Sequence, residues 1–218
     1  MFYHTLVAAM SDPFHFSAVE IAHLHDRATA LWHRNEDPHH IHAHDFLDTV
    51  LNQHRANFDL WHTEDRARDP RASDHDIAEV KRTIDRYNQR RNDLAEQCDV
   101  LLLNHASDLL RPQGRPPAAA QLHSESPGLI IDRLSILALK IFHTQEEIDR
   151  PNAPAGHADR NRQRLATLTE QRDDLVACLD QLWADTIAGR RRFKIYRQFK
   201  MYNDPTLNPS IYGSTPGS

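Results

Sequence analysis

Four carboxylates and six cations fall at inward positions of predicted helices: Glu64, Asp65, Asp85 and Asp132, with Arg68, Lys81, Arg91, Arg133, Lys140 and Arg172. The amides of Asn57, Asn88 and Asn92 accompany them, and Trp61 and His143 lie in the same rows. Burying one unpaired charge costs on the order of several kcal/mol, so these groups must pair with one another or enclose something polar. Arg forks and Lys donate to phosphate oxygens, while carboxylates hold Mg²⁺ or accept a proton. A site built for two metal ions would show carboxylates and histidine in excess; here cations outnumber acids. The pattern points to an anionic, phosphate-bearing small molecule such as a nucleotide sugar or sugar phosphate. Asn57, Trp61, Arg68, Lys81, Asn88, Arg91, Asn92, Arg133, Lys140 and Arg172 would contact it. Glu64, Asp65, Asp85 and Asp132 would hold one Mg²⁺, and His143, Asp132 and Glu64 would be the groups for proton transfer. The plainer alternative is interior ion pairing that fixes helix register.

The elements that position these residues read as helices throughout. Apolar residues recur every three to four positions, glycine is rare, and Pro-rich loops separate the segments, which predicts an all-α bundle of about five helices without convincing strands. The first runs from Ser17, with Ser17 and Glu20 in capping-box spacing, to about Trp32. The second spans Asp45 to Asp69 before Pro70, and the third runs from near Ser73 to about Leu110. The fourth is capped by Ser124 or Ser126, carries Pro127 in its first turn and stops before Pro151; the fifth runs from about His157 to Ala188, where Gly189 supplies a stop. Within the fourth, "SPGLIIDRLSILALKIFH" places Ile130, Leu134, Leu137, Ala138, Ile141 and Phe142 on one side. Asp132, Arg133, Lys140 and His143 gather opposite, an arc expected to lie in a crevice. The second helix shows His54, Asn57, Glu64, Asp65 and Arg68 on the face of Phe46, Val50, Leu51, Phe58 and Trp61. The third sets Lys81, Asn88, Arg91 and Asn92 among Ile77, Val80, Ile84, Ala95 and Cys98.

A chain of 218 residues supports one sizeable core, read as a bundle domain over 1–188 followed by a basic, aromatic segment and tail over 189–218. That last segment holds six basic residues against one acid, although the whole chain carries a formal net charge of -5. With a mean hydropathy of -0.68, the chain is polar for a folded protein, yet its 39% apolar content is enough for a core. Cys98 and Cys178 both read as core-facing, which implies free thiols and a cytoplasmic setting, and no apolar run is long enough to span a bilayer.

"NFDLWHTEDRARDP", "IAEVKRTIDRYNQRRND", "SPGLIIDRLSILALKIFH" and "RRFKIYRQFKMYNDPTLNP" closely resemble a bacterial family known as domain of unknown function 4254, a likeness that covers about Asn52 to Pro209. The resemblance implies a glycoconjugate or lipopolysaccharide context in the company of glycosyltransferases. It brings no catalytic residues with it. The chain could then act on its ligand, by metal-assisted phosphoanhydride hydrolysis or transfer. Alternatively it serves as a non-catalytic accessory protein that binds a glycosyltransferase or a second copy of itself.

Other constellations are weaker. Glu96 and Asp99 have the spacing that the all-α nucleotide pyrophosphohydrolases use for Mg²⁺, but no second pair accompanies them. "HHIHAH" at 39–44 reads as a solvated loop in preference to a metal site, and a haem or metal-dependent helical enzyme would draw its axial ligand from His54, His62 or His143. Phe193, Tyr196, Phe199 and Tyr202 alternate with basic residues as in single-strand nucleic-acid binders. The acidic remainder of the chain argues against nucleic acid, and the segment is expected to pack its aromatics on the bundle and bring its cations to the rim of the polar seam. A Gly-rich phosphate loop and a nucleophile elbow are both missing.

Overall fold

The computed structural model describes residues 16–38, 45–111 and 120–197. The "HHIHAH" loop, and the stretch that contains Phe199 and Tyr202, lie outside the described residues.

Five helices account for most of the described chain: α1 (Ala18–His33), α2 (Asp45–Ala67), α3 (Asp74–Leu110), α4 (Pro127–Asp149) and α5 (His157–Ile187). Local chemistry sets their ends. The Ser17 hydroxyl accepts from the Glu20 backbone N–H at the start of α1. Ser73 and Asp76 make a reciprocal capping box at the start of α3, with Ser73 N–H to Asp76 Oδ2 at 3.0 Å and Asp76 N–H to Ser73 Oγ at 3.2 Å. α5 closes where Gly189 turns left-handed (φ 69°) and Arg190 N–H reaches back to Asp185 O at 2.8 Å. The fold is the expected all-α bundle, with one two-residue ladder beside it: β1 (Gln121–Leu122) and β2 (Arg191–Arg192) pair in parallel, with Gln121 opposite Arg191. This short ladder clips the chain that leaves α5 to the chain that enters α4.

α2 packs along α3 and α4 along α5, while α1 and α3 both lie against α4. α4 is therefore the central helix, and Ile130, Ile131, Leu134 and Leu139 on it are almost completely buried, with Ile21, Val50, Leu102, Leu179 and Leu182 around them. A smaller cluster of Leu60, Val80 and Ile84 joins the far ends of α2 and α3. Ile77, expected inside, is 41% exposed, as residues 74–79 of α3 are exposed throughout. Cys98 is buried as expected, but Cys178 lies on the exposed face of α5.

The start of α4 crosses α3 so closely that a Cβ at Gly128 would overlap the carbonyl oxygen of Ala95. Ser126 occupies the N-cap position without making a side-chain cap bond. Its hydroxyl instead donates to Asp99 Oδ2 (2.5 Å), and Asp99 Oδ1 accepts from the Gly128 N–H (2.6 Å), so α3 caps α4. Burial pushes the Asp99 carboxyl up to about 6, against the pull of these two hydrogen bonds. Asp99 is thereby committed to the cap, away from any metal pair with Glu96.

Phe193 packs into the core, and the Arg190 and Arg191 guanidinium groups pair with Asp185 at 2.6 and 3.5 Å. Arg190 and Arg191 thus dock at the end of α5, while Lys194 and Tyr196 line a shallow pocket with Asn92 and Asp99 beside the start of α4. Among the described residues no helix is long and apolar enough to cross a membrane.

Candidate functional site

The polar interior is organised around Asp132 on α4, whose carboxylate is buried. Gln53 and Asn57 stand one turn apart on α2 and both donate to Asp132 Oδ1, at 2.5 and 2.9 Å. Arg91 on α3 donates through Nη2 to Oδ2 at 2.9 Å. The same Asn57 amide donates to Ser135 Oγ (2.9 Å), which lies 2.7 Å from His54 Nδ1. His54 Nε2 lies 3.0 Å from the carbonyl oxygen of His25 and 2.9 Å from Thr29 Oγ1. A carbonyl can only accept, so Nε2 carries the proton and Nδ1 accepts from Ser135. Burial holds the His54 imidazole down at about 3, so it is neutral. One chain of hydrogen bonds therefore ties α1, α2, α3 and α4 together. Four buried atoms at its margin have no partner: Gln53 Oε1, Arg91 Nε and both ring nitrogens of His25, whose ring packs on His54 at 4.5 Å.

Beside Arg91 a pocket of about 410 Å³ opens between α2, α3 and α4. Asn57, Trp61, Glu64 and Arg68 form a stripe at spacings of four, three and four on α2 and, with Asp65, make one wall. Arg91 faces them from α3, and Leu60, Ile136 and Leu139 give an apolar floor. Arg68 is held by Glu64 at 3.2 Å and by Asp65 at 3.7 Å. The wall thus presents two acids and two guanidiniums.

Six of the expected site residues, Asn57, Trp61, Glu64, Asp65, Arg68 and Arg91, meet at this pocket, with Asp132 directly behind. The others do not join them. Lys81 pairs with Asp85 along exposed α3, Arg133 is exposed and pairs with Glu125 at 3.0 Å, and Lys140 is exposed. Arg172 pairs with Asp26 of α1 at 3.0 Å, and Asn88 and Asn92 are half-buried on α3 away from the pocket wall. The reason is angular. Asp132 and His143 lie within about 20° of each other around α4, whereas Arg133 and Lys140 are turned about 80–100° from Asp132 and face water. The expected crevice takes up only half of the arc. Nor do the four carboxylates Glu64, Asp65, Asp85 and Asp132 gather: Asp132 is filled by three donors, and Asp85 is on another face.

His143 belongs to a different constellation, two turns beyond Ser135. His33 ends α1, His62 lies on α2 and His143 on α4, and one ring nitrogen from each lies within 4.8 Å of the other two. All three Nε2 atoms are buried and without a partner. His33 Nδ1 is bonded to Thr29 O at 2.8 Å, and His143 Nδ1 to Glu146 Oε2 at 2.7 Å. The rings are wedged by aromatics: His33 stacks on Phe142 (4.2 Å between centroids), His143 on Trp61 (5.0 Å, 8° between planes), and His62 meets Phe58 at 4.5 Å. Burial, then the nearness of His33 and His143, lowers the pKa of His62 and favours its neutral form. His62 and His143 stood out in the sequence as axial-ligand candidates; His33 did not, although His25 and His33 share the eight-residue spacing of His54 and His62, and Ser135 and His143 repeat it on α4.

A family model described as a protein of unknown function (DUF4254) matches residues 47–195, from α2 through β2, and stops short of α1 with its His33. Comparison with curated proteins and with solved structures gave no match. The matched segment contains the whole pocket wall, the Asp132 network except its α1 contacts, and two of the three clustered histidines, and on the strength of that match the chain belongs to the DUF4254 family.

Proposed function

We propose that the chain binds a small sugar carrying a single phosphate in the pocket between α2, α3 and α4. The observation that carries this reading is Arg91: its guanidinium is locked to Asp132 at 2.9 Å, yet its buried Nε has no acceptor and the residue lines the pocket. A phosphate oxygen would complete that fork, and Arg68 at the opposite side could exchange its exposed partner Glu64 for the same ligand. Trp61, Asn57, Glu64 and Asp65 supply what a polyol ring asks for, an aromatic platform with acceptors and donors at its edge. Two acids balance two guanidiniums, so the wall opposes a highly charged polyphosphate, and the volume of about 410 Å³ suits a hexose phosphate better than a nucleotide sugar. Such a ligand agrees with the glycoconjugate setting that the sequence resemblance implies. Of the groups named for proton transfer, Glu64 is the one at the pocket wall; Asp132 is saturated by donors, and the free Nε2 of His143 is buried in the histidine cluster. The reading is therefore one of binding, with turnover on Glu64 as its extension.

Thermal unfolding and calorimetric titration with hexose phosphates, nucleotide sugars and inorganic phosphate test it. The wild-type midpoint rises with a hexose phosphate, and exposed Arg68→Gln weakens binding by roughly tenfold while leaving the unliganded midpoint unchanged. No response to any of these compounds, together with capture of a glycosyltransferase that survives Arg68→Gln, would transfer the role to an accessory protein.

A further inference from the structure

We propose that His33, His62 and His143 form a binding site for one late first-row divalent metal ion, of the Zn²⁺ class. The site is separate from the sugar-phosphate pocket.

The argument begins with a cost. A buried imidazole nitrogen without a partner costs about 1–3 kcal/mol, and three of them converge here from three helices. Random placement of polar rings in an aromatic cluster would scatter such atoms, or turn them towards water or a carbonyl. Here the second nitrogen of two rings is already used. Backbone Thr29 O takes the Nδ1–H of His33, and the Glu146 carboxylate takes that of His143. Both contacts leave the lone pair on Nε2, the tautomer that binds a metal, and a carboxylate behind a ligating imidazole raises its basicity. The aromatic contacts of Phe142, Trp61 and Phe58 limit rotation of all three rings, so the ligands are preorganised.

The donor set selects the ion. Three neutral nitrogens of intermediate softness suit Zn²⁺, Co²⁺, Ni²⁺ or Cu²⁺ and not Mg²⁺ or Ca²⁺, which require oxygen. Tetrahedral Zn²⁺ with nitrogen at about 2.1 Å places its ligands about 3.4 Å apart. The observed nitrogens lie within 4.8 Å of one another, so small ring rotations close the site. Three protein ligands also leave a fourth position for water or a small molecule, the arrangement of reactive rather than purely structural zinc. Trp61 connects the two sites, stacked on His143 with its indole in the pocket wall.

The test uses the full chain after chelator treatment, titrated with Zn²⁺ and Co²⁺, with Mg²⁺ as control. The competing source of binding is the histidine loop at 39–44, so three proteins are compared: wild type, His62→Gln, and a variant with His39, His40, His42 and His44 all changed to Ser. The proposal expects one tightly bound Zn²⁺ per chain in the wild type and in the loop variant. It expects a loss of about 100-fold or more in His62→Gln, with unchanged circular dichroism, and visible Co²⁺ bands of tetrahedral type that vanish in the same variant. His33→Gln, on another helix, should reproduce the loss if His62→Gln folds poorly. Absence of Zn²⁺ uptake in the wild type overturns the proposal. So does uptake that disappears with the loop histidines while both Gln variants retain it. Hexose-phosphate titration of the metal-free chain is read separately, so failure of either site leaves the other to be judged alone.

Discussion

Two layers of the same interior seam treat polar groups in opposite ways. In the layer of Thr29, His54, Ser135 and Asp132, the side chains of these four residues are all paired and the carboxylate is neutralised by Arg91 and two amides, while the unpaired atoms of His25, Gln53 and Arg91 lie apart at its edges. One to two turns along the same helices, His33, His62 and His143 bring one ring nitrogen each within 4.8 Å of the other two, and their buried Nε2 atoms have no partner. Buried polarity by itself therefore does not mark a site. A satisfied network stiffens the bundle, whereas convergent, unsatisfied lone pairs are what a ligand would find.

The contrast can be broken by substitution. Asp132→Ala should be the most damaging change, because it strands the Arg91 guanidinium and two amides at once; urea unfolding should show a loss of about 3–5 kcal/mol. A loss below about 1 kcal/mol would mean that the first layer is not the framework described.

Acid should come next. His54 is held at about 3 and His25 well below its ordinary value, both mainly by burial. The unfolded chain therefore binds more protons than the native one below about 6.5, and stability present above that pH is lost as the pH falls towards 3. Asp99 works the other way: its raised value, about 6, makes the native form the better proton acceptor between the ordinary carboxylate range and pH 6. The net uptake of about one proton should lower stability by roughly 1.4 kcal/mol per pH unit between pH 6 and 4.5. A flat profile across that window would show that one of the two histidines is not buried neutral.

Ser135→Ala takes one hydroxyl from both His54 and Asn57 and should cost about 2 kcal/mol. The matched change in the second layer is His62→Phe, which removes an unsatisfied nitrogen among aromatic neighbours. In the metal-free chain it should leave stability unchanged or raise it by about 1 kcal/mol, relief of the unpaired nitrogen being partly offset by the larger ring. A penalty as large as that at Ser135 would erase the distinction between the layers.

Much of the fold was legible because its signals are local. Ser17, Ser73, Pro127 and Gly189 mark helix ends whose geometry depends on a few neighbouring residues. The pocket stripe Asn57–Trp61–Glu64–Arg68 was legible for a similar reason, since spacings of three and four on one helix keep side chains together. Which polar arc of α4 meets protein and which meets water depends on how α3 and α5 lie against it, so Asp132 went inside while Arg133 and Lys140 stayed out. His33 was hidden because a histidine in the last turn of a helix reads as a partner for the helix dipole. Only the packing of three helices reveals that it faces His62 and His143.

The central claim, that the second layer is built to receive a cation, is tested most directly by diffraction from crystals of the zinc-loaded chain at the zinc absorption edge. The account predicts a single anomalous peak bounded by Nε2 of His33, His62 and His143, each at about 2.1 Å. A peak elsewhere on the chain, with the three imidazoles still apart and unligated, would contradict it.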